Sequence, residues 1–183
     1  MQEVNLKQLL INYTTNLCDK RFVFTLPKDK KITVVFFRKS LYHLMGLQHI
    51  FNNDTRYLGG KGYRKIQEES VTVESLKKHN KKQYGFKERL RHFNEIIDVL
   101  RYGNIISFIE ENVKGGTYIK ADFVIFNEKE KYILHLFLRK ERNTDIYTPI
   151  SYVVQSENDK NINKFSEGQK RVKIIDREEI KLC

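Results

Sequence analysis

Between Tyr118 and Val154 the chain sets side chains able to hold a phosphate and move a proton among hydrophobic neighbours: Lys120, His135, Arg139, Thr148 and Ser151. In Lys131 to Lys140, KYILHLFLRK, strand alternation puts Ile133, His135, Phe137 and Arg139 on one face and Tyr132, Leu134, Leu136 and Leu138 on the other. The second face is core throughout. The first carries an imidazole and, four residues on, a guanidinium, roughly 13 Å apart along a strand, a span that the two side chains could narrow around a phosphodiester and its neighbouring hydroxyl.

Elements upstream must position those groups. An apolar stripe of Val4, Leu6, Leu9, Leu10, Tyr13 and Leu17 predicts a helix over 4–17. Arg21 to Leu26 and Lys31 to Phe37 predict a hairpin turning at PKDK, where Pro27 and Asp29 separate two β-branched and aromatic runs. Ser40 is placed to cap a helix from Leu41 to about Phe51. Gly46 lies inside it, where glycine costs about 0.5 to 1 kcal/mol relative to alanine, and so points to close backbone packing or a site needing room. His43, Gly46, Leu47 and Ile50 share one helical face, although a lone helical histidine is most often structural.

From Asn52 to Asn80 periodicity weakens. GGKGYRK, with Gly59, Gly60 and Gly62, reads as a mobile loop and not as a nucleotide-binding P-loop, since no GxxxxGK[ST] precedes a helix. Lys61 and Arg64, with Tyr57 and Tyr63, would suit a clamp on single-stranded RNA, stacking complementing charge. A short helix is expected from Thr72 to about Lys78. Phe86, Leu90, Phe93, Ile97 and Leu100 make Tyr84 to Arg101 the strongest helix. Lys87, Arg89, Arg91 and His92 fall on its other side as a solvated face, with Arg91 in reach of Glu95.

Strands are expected at Ile105 to Glu110, Thr117 to Phe126, Tyr132 to Arg139, Pro149 to Gln155 and Val172 to Asp176. NEKEK turns a tight hairpin, 156–170 is a polar loop, and Pro149 marks an edge strand. The layout is α+β in one domain of 183 residues: N-terminal helices and a hairpin over 1–103, then an antiparallel β-meander over 104–183.

Thirty-four Lys and Arg against 23 Asp and Glu leave a formal charge of +11, which draws polyanions and makes nucleic acid the leading partner class. The plainer account is that a lysine-rich surface serves solubility or follows an AT-rich genome. Cys18 and Cys183 are too few for a disulfide framework and fit no metal-ligand spacing, which suits a reducing cytosol. No apolar run approaches a membrane span and the N-terminus lacks a signal-peptide layout, so a cytoplasmic protein is expected, without a membrane partner.

SLYHLMGLQHI with its His-Leu-x-Gly-Leu core, then FKERLRHFNEIIDVL, YIKADFVIF, ILHLFLRK and YTPISYVV, resemble in consistent order the phage-encoded branch of the barnase, EndoU, colicin and RelE-like nucleases. The resemblance implies a small antiparallel sheet flanked by helices, RNA across its open face, and metal-free cleavage with no cofactor. The substrate 2′-hydroxyl attacks the adjacent phosphate to leave a cyclic phosphate, so the protein must remove one proton, donate another and stabilise negative charge.

In that frame His135 is the first candidate acid or base, because imidazole titrates near neutral pH; the alternative is a buried histidine bonded to a carbonyl. Arg139 would hold non-bridging oxygens through its planar fork. Lys120, sharing its expected strand face with Tyr118 and Asp122, is a second charge stabiliser or half of a surface pair with Asp122. Tyr147, Thr148 and Ser151 match the last motif and orient phosphate, or form an ST-turn. His43 is a second candidate acid if its helix packs beside the sheet. No catalytic glutamate stands on the meander apart from Glu110 and Glu111. Tyr118, Tyr147, Lys61, Arg64 and Arg91 complete the candidate RNA surface. A non-catalytic basic binder, such as an inhibitor of a host system, is the competing reading. A toxin with a cognate antitoxin is one setting for the nuclease.

Overall fold

The computed structural model describes residues 4–51, 54–79 and 85–182; Cys183 and the expected helix start at Tyr84 lie outside them. The eight strands are β1 (Lys20–Thr25), β2 (Lys31–Val35), β3 (Asn104–Ser107), β4 (Phe123–Glu128), β5 (Tyr132–Lys140), β6 (Ile146–Ser156), β7 (Lys170–Val172) and β8 (Asp176–Lys181). They form one sheet in the order β7-β3-β4-β5-β6-β2-β1-β8, antiparallel except for the β2–β6 pairing. The α+β class expected from the sequence holds.

The helices are α1 (Leu6–Tyr13), α2 (Leu41–Leu44), α3 (Leu47–Ile50), α4 (Gly59–Gln67), α5 (Val73–His79), α6 (Phe86–Arg91) and α7 (Ile96–Tyr102). Their apolar sides join the alternate residues of the strands in one cluster that takes in Leu6, Tyr13, Phe24, Val34, Leu44, Leu90, Leu100, Leu134, Leu136 and Tyr152. The other face of β3 to β6 has its own cover. Phe108 and Val113 from the loop after β3, and Phe165 from the loop after β6, close over Ile106, Val124, Phe126, Ile133 and Phe137. Both faces of β5 are therefore core, and the open sheet face implied by the resemblance is filled.

Local differences from the sequence reading have identifiable causes. The helix expected over 41–51 is broken at Gly46, which takes a left-handed φ of 76° and divides it into α2 and α3, and the Ser40 side chain makes no capping bond. GGKGYRK is the helix α4 and not a loop: a Cβ at Gly62 would run into the Tyr57 carbonyl and the Tyr42 ring, so glycine permits α2 and α4 to meet. Tyr63 shares a hydrogen bond with Thr14 Oγ1 at 2.8 Å, and the Tyr57 ring stacks on Phe51 at 4.0 Å, so both half-buried rings also serve packing. The helix expected over 84–101 is interrupted by a 3-10 turn at Phe93–Glu95.

The second expected strand begins at Phe123, leaving Tyr118 and Lys120 in the loop before it. Pro149 lies in the interior strand β6, not at an edge. It is tolerated because β2 pairs only with Ile146 and Tyr147, so no neighbour needs the missing N–H, and the β5 register shifts at the same place. The last expected strand, Val172 to Asp176, does not form: 173–175 lie outside any strand, β7 ends at Val172 and β8 begins at Asp176, at opposite edges of the sheet.

Candidate functional site

The structure separates the residues that alternation grouped on β5 and β6. His135 pairs across β5 with Phe126 and Val153 and is 0% exposed. The rings of Phe126, Phe137 and Phe165 stand 6.3, 6.3 and 5.4 Å from its own. Neither ring nitrogen has a hydrogen-bond partner. Burial pushes its pKa down to about 3; the carbonyls of Val153 and Ile133 pull the other way without reaching hydrogen-bond geometry. His135 is thus neutral and dry, neither an acid on an open face nor a carbonyl-bonded histidine.

Arg139 reaches the surface, but its Nε donates to the Lys120 carbonyl at 2.7 Å and its Nη2 donates to the same oxygen. Asp122 accepts from the Lys140 backbone N–H at 2.7 Å, and no ion pair joins it to the exposed Lys120. Thr148 is buried and donates to Glu141 Oε1 at 2.7 Å, and the Tyr147 ring packs 5.3 Å from Phe123. Ser151 sits opposite Phe137, half-buried, while Tyr118 is fully exposed and far from any strand register.

Another group of polar side chains meets on the helical side. His43 and His49 both reach the surface, on either side of Gly46, from α2 and α3. α2 and α6 each pack on β6, and this places Arg89 of α6 against the Gly46 turn: a Cβ on Gly46 would collide with the Arg89 guanidinium. Arg89 was expected on a solvated face. Its Nε is instead sealed from solvent without a hydrogen-bond partner, and no carboxylate among the described residues pairs with it. Burial lowers its pKa to about 10, so the group stays charged at neutral pH. An uncompensated guanidinium in a half-buried position destabilises the fold, and such groups concentrate where an anion binds.

Burial, then Arg89, then His43 lower the pKa of His49, while burial alone lowers that of His43. The Gln48 amide donates to His49 Nε2 at 3.2 Å, and Gln48 Oε1 is buried without a partner. Two imidazoles tuned toward the neutral form are therefore coupled here, His49 to the Arg89 guanidinium and to His43, and no carboxylate among the described residues pairs with that guanidinium. Of these residues the sequence reading named His43 and missed His49 and Arg89. The spacing His43-x-x-Gly46-x-x-His49 was the available signal.

The neighbouring polar cluster is self-satisfied. His92 Nδ1 and Glu95 Oε1 are 2.6 Å apart, Tyr132 donates to Glu95 Oε2 at 3.0 Å, and Tyr152 donates to the His92 carbonyl at 2.8 Å. Arg91 is exposed and pairs with Glu88 at 2.7 Å. Among the described residues no three His, Cys, Asp or Glu are grouped to hold a metal ion.

The family described as phage-Barnase-EndoU-ColicinE5/D-RelE like nuclease4 matches residues 5–182, which takes in every element above. The chain belongs to this family. No curated protein and no solved structure matches it. Membership carries nuclease function in general, and the two motifs that lead the resemblance, SLYHLMGLQHI and FKERLRHF, meet where the Arg89 guanidinium packs against Gly46.

Proposed function

We propose that this nuclease acts on RNA at His43, His49 and Arg89, by attack of a ribose 2′-hydroxyl on its own 3′-phosphate. His49 takes the proton of the 2′-hydroxyl, since burial and two nearby cationic groups favour its neutral form. The O2′–P bond forms as the P–O5′ bond breaks, and His43 gives a proton to the departing O5′. The products are a 2′,3′-cyclic phosphate and a 5′-hydroxyl. Arg89 faces the non-bridging oxygens, whose growing charge supplies the anion that the resting protein lacks. The observation that carries this reading is the Arg89 Nε, sealed from solvent without a hydrogen-bond partner, near the surface imidazoles of His49 and His43. The formal charge of +11 favours a polyanionic substrate. Because the 2′-hydroxyl is the nucleophile, the proposal needs no metal ion.

Labelled RNA incubated with the protein in excess EDTA should give fragments ending in cyclic phosphate, while the matching DNA stays intact. Fragments that form only on adding a divalent ion, or that carry other ends, would overturn the mechanism. The pH profile has a defined sign. kcat/KM reports the free protein, where His43 must be protonated and its pKa lies below the ordinary 6.5. The rate should therefore fall as pH rises through that value, leaving the optimum on its acid side; an optimum at alkaline pH would exclude His43 as the acid.

A further inference from the structure

Residues 30–67 contain eight Lys and Arg against one acid, Asp54, so this stretch carries +7 of the formal +11. Asp54 is already taken by Arg56, Nη2 to Oδ2 at 2.6 Å. Within the stretch stands Phe37, 39% exposed and the only exposed phenylalanine among the described residues. Its backbone is fixed, since its carbonyl accepts from Tyr13 Oη at 2.9 Å and from the Ser40 N–H at 2.9 Å. The ammonium of Lys39 lies over its ring, 5.5 Å from the centroid. The 3-10 turn Arg38–Ser40 packs directly on α4, which adds the exposed Lys61 and Arg64. His43 follows six residues after Phe37 along helical backbone, roughly 9 to 12 Å at about 1.5 to 2 Å per residue.

An exposed aromatic ring on a fixed backbone, among cations that have no carboxylate partner among the described residues, is the arrangement that binds an unpaired base and its flanking phosphates. We propose that Phe37 is a stacking platform for one base of a single-stranded RNA beside the cleavage site, with Arg38, Lys39, Lys61 and Arg64 holding the adjacent phosphates. Stacking displaces the Lys39 ammonium from the ring toward a phosphate. A duplex offers no free base face, so the platform selects single strands. The inference rests on the reading that RNA is the substrate, and adds where it lies and in what form.

The chain has no tryptophan, so a Phe37→Trp variant carries a single indole reporter. It is titrated with a 2′-O-methyl oligoribonucleotide of about eight residues, which cannot be cleaved, and with the same sequence as a duplex. The expected result is quenching by the single strand and none by the duplex. In parallel, fluorescence anisotropy should show Phe37→Ala weakening single-strand binding about 5- to 100-fold, with duplex binding unchanged. Emission that does not change while anisotropy reports binding, or Phe37→Ala affinity within about twofold of the parent, would overturn the platform. Since the probe cannot react, these outcomes stand apart from cleavage: stacking on Phe37 without cyclic phosphate ends would sink the catalytic proposal and leave this one in place.

Discussion

Replacing Arg89 with methionine is expected to lower RNA cleavage about 10²- to 10³-fold and, at the same time, to make the protein more stable. The first effect follows from the role proposed for the guanidinium. A preorganised donor aimed at developing negative charge typically contributes about 3 to 4 kcal/mol to the transition state. The second follows from its surroundings. Arg89 Nε is buried without a hydrogen bond, and among the described residues no carboxylate compensates the charge. Exchanging an uncompensated, desolvated cation for an apolar side chain of similar length removes a penalty, and such exchanges commonly stabilise by about 1 to 4 kcal/mol. Part of Arg89 reaches the surface, so the lower end of that range applies. Initial rates and urea unfolding of the same preparation read both effects. Arg89→Lys keeps the charge but not the planar fork, and is expected to recover only part of the rate. Lost stability with an unchanged rate in the methionine variant would make Arg89 a structural residue and remove the main support for the site.

Acid should destabilise this protein through one residue far from that site. His135 has a pKa pushed down to about 3 in the fold, against about 6.5 when exposed. The unfolded chain therefore takes up a proton first. Stability is intact above about pH 6.5, declines as pH drops below it by ~1.4 kcal/mol per unit from this group, and the decline from His135 ends near the folded value of about 3. His135→Phe removes the titrating group and lets the ring join Phe126, Phe137 and Phe165, so its unfolding free energy should be flatter over that window. It should also be higher at neutral pH, because two unpaired ring nitrogens leave the core. His135→Leu guards against a poor fit of the larger ring. Parallel pH curves for parent and both variants would show that His135 is not the group responsible. Cleavage should survive in both. A folded His135→Phe protein with no cleavage would move the chemistry back to the β5 face and overturn the assignment to His43 and His49.

Much of the strand pattern was legible because period-two alternation needs only nearest neighbours. The hairpin of β1 and β2, and the residues of β5, follow from β-branched and aromatic runs bounded by turn residues. β8 was not legible. DREEIK, with five charged residues in six, has no apolar face to betray it, and it is a strand because β1 offers a free edge that charged side chains can flank. GGKGYRK reads as a loop by composition. It becomes helical because Gly62 lets α4 lie against Tyr42, a packing fact that glycine propensity cannot express.

The candidate site divides in the same way. The pattern His43-x-x-Gly46-x-x-His49 and the basic run around Phe37 are properties of the chain, and chain chemistry alone sets the excess of cations over acids there. What alternation assigned to an open face of β5 depended on what covers that face. Phe108, Val113 and Phe165 come from loops without periodicity, so the burial of His135 is invisible until they fold back over the sheet. Arg89 shows the converse. Helical periodicity put it toward solvent because one helix was considered alone, whereas α6 touches β6 on one side and the Gly46 turn on another, and the absent Cβ of Gly46 makes room for the guanidinium. The sequence by itself determined which groups can do chemistry and where the charge lies; only the tertiary structure decided which of them meet and which lose contact with water, because desolvation and convergence arise from segments distant along the chain.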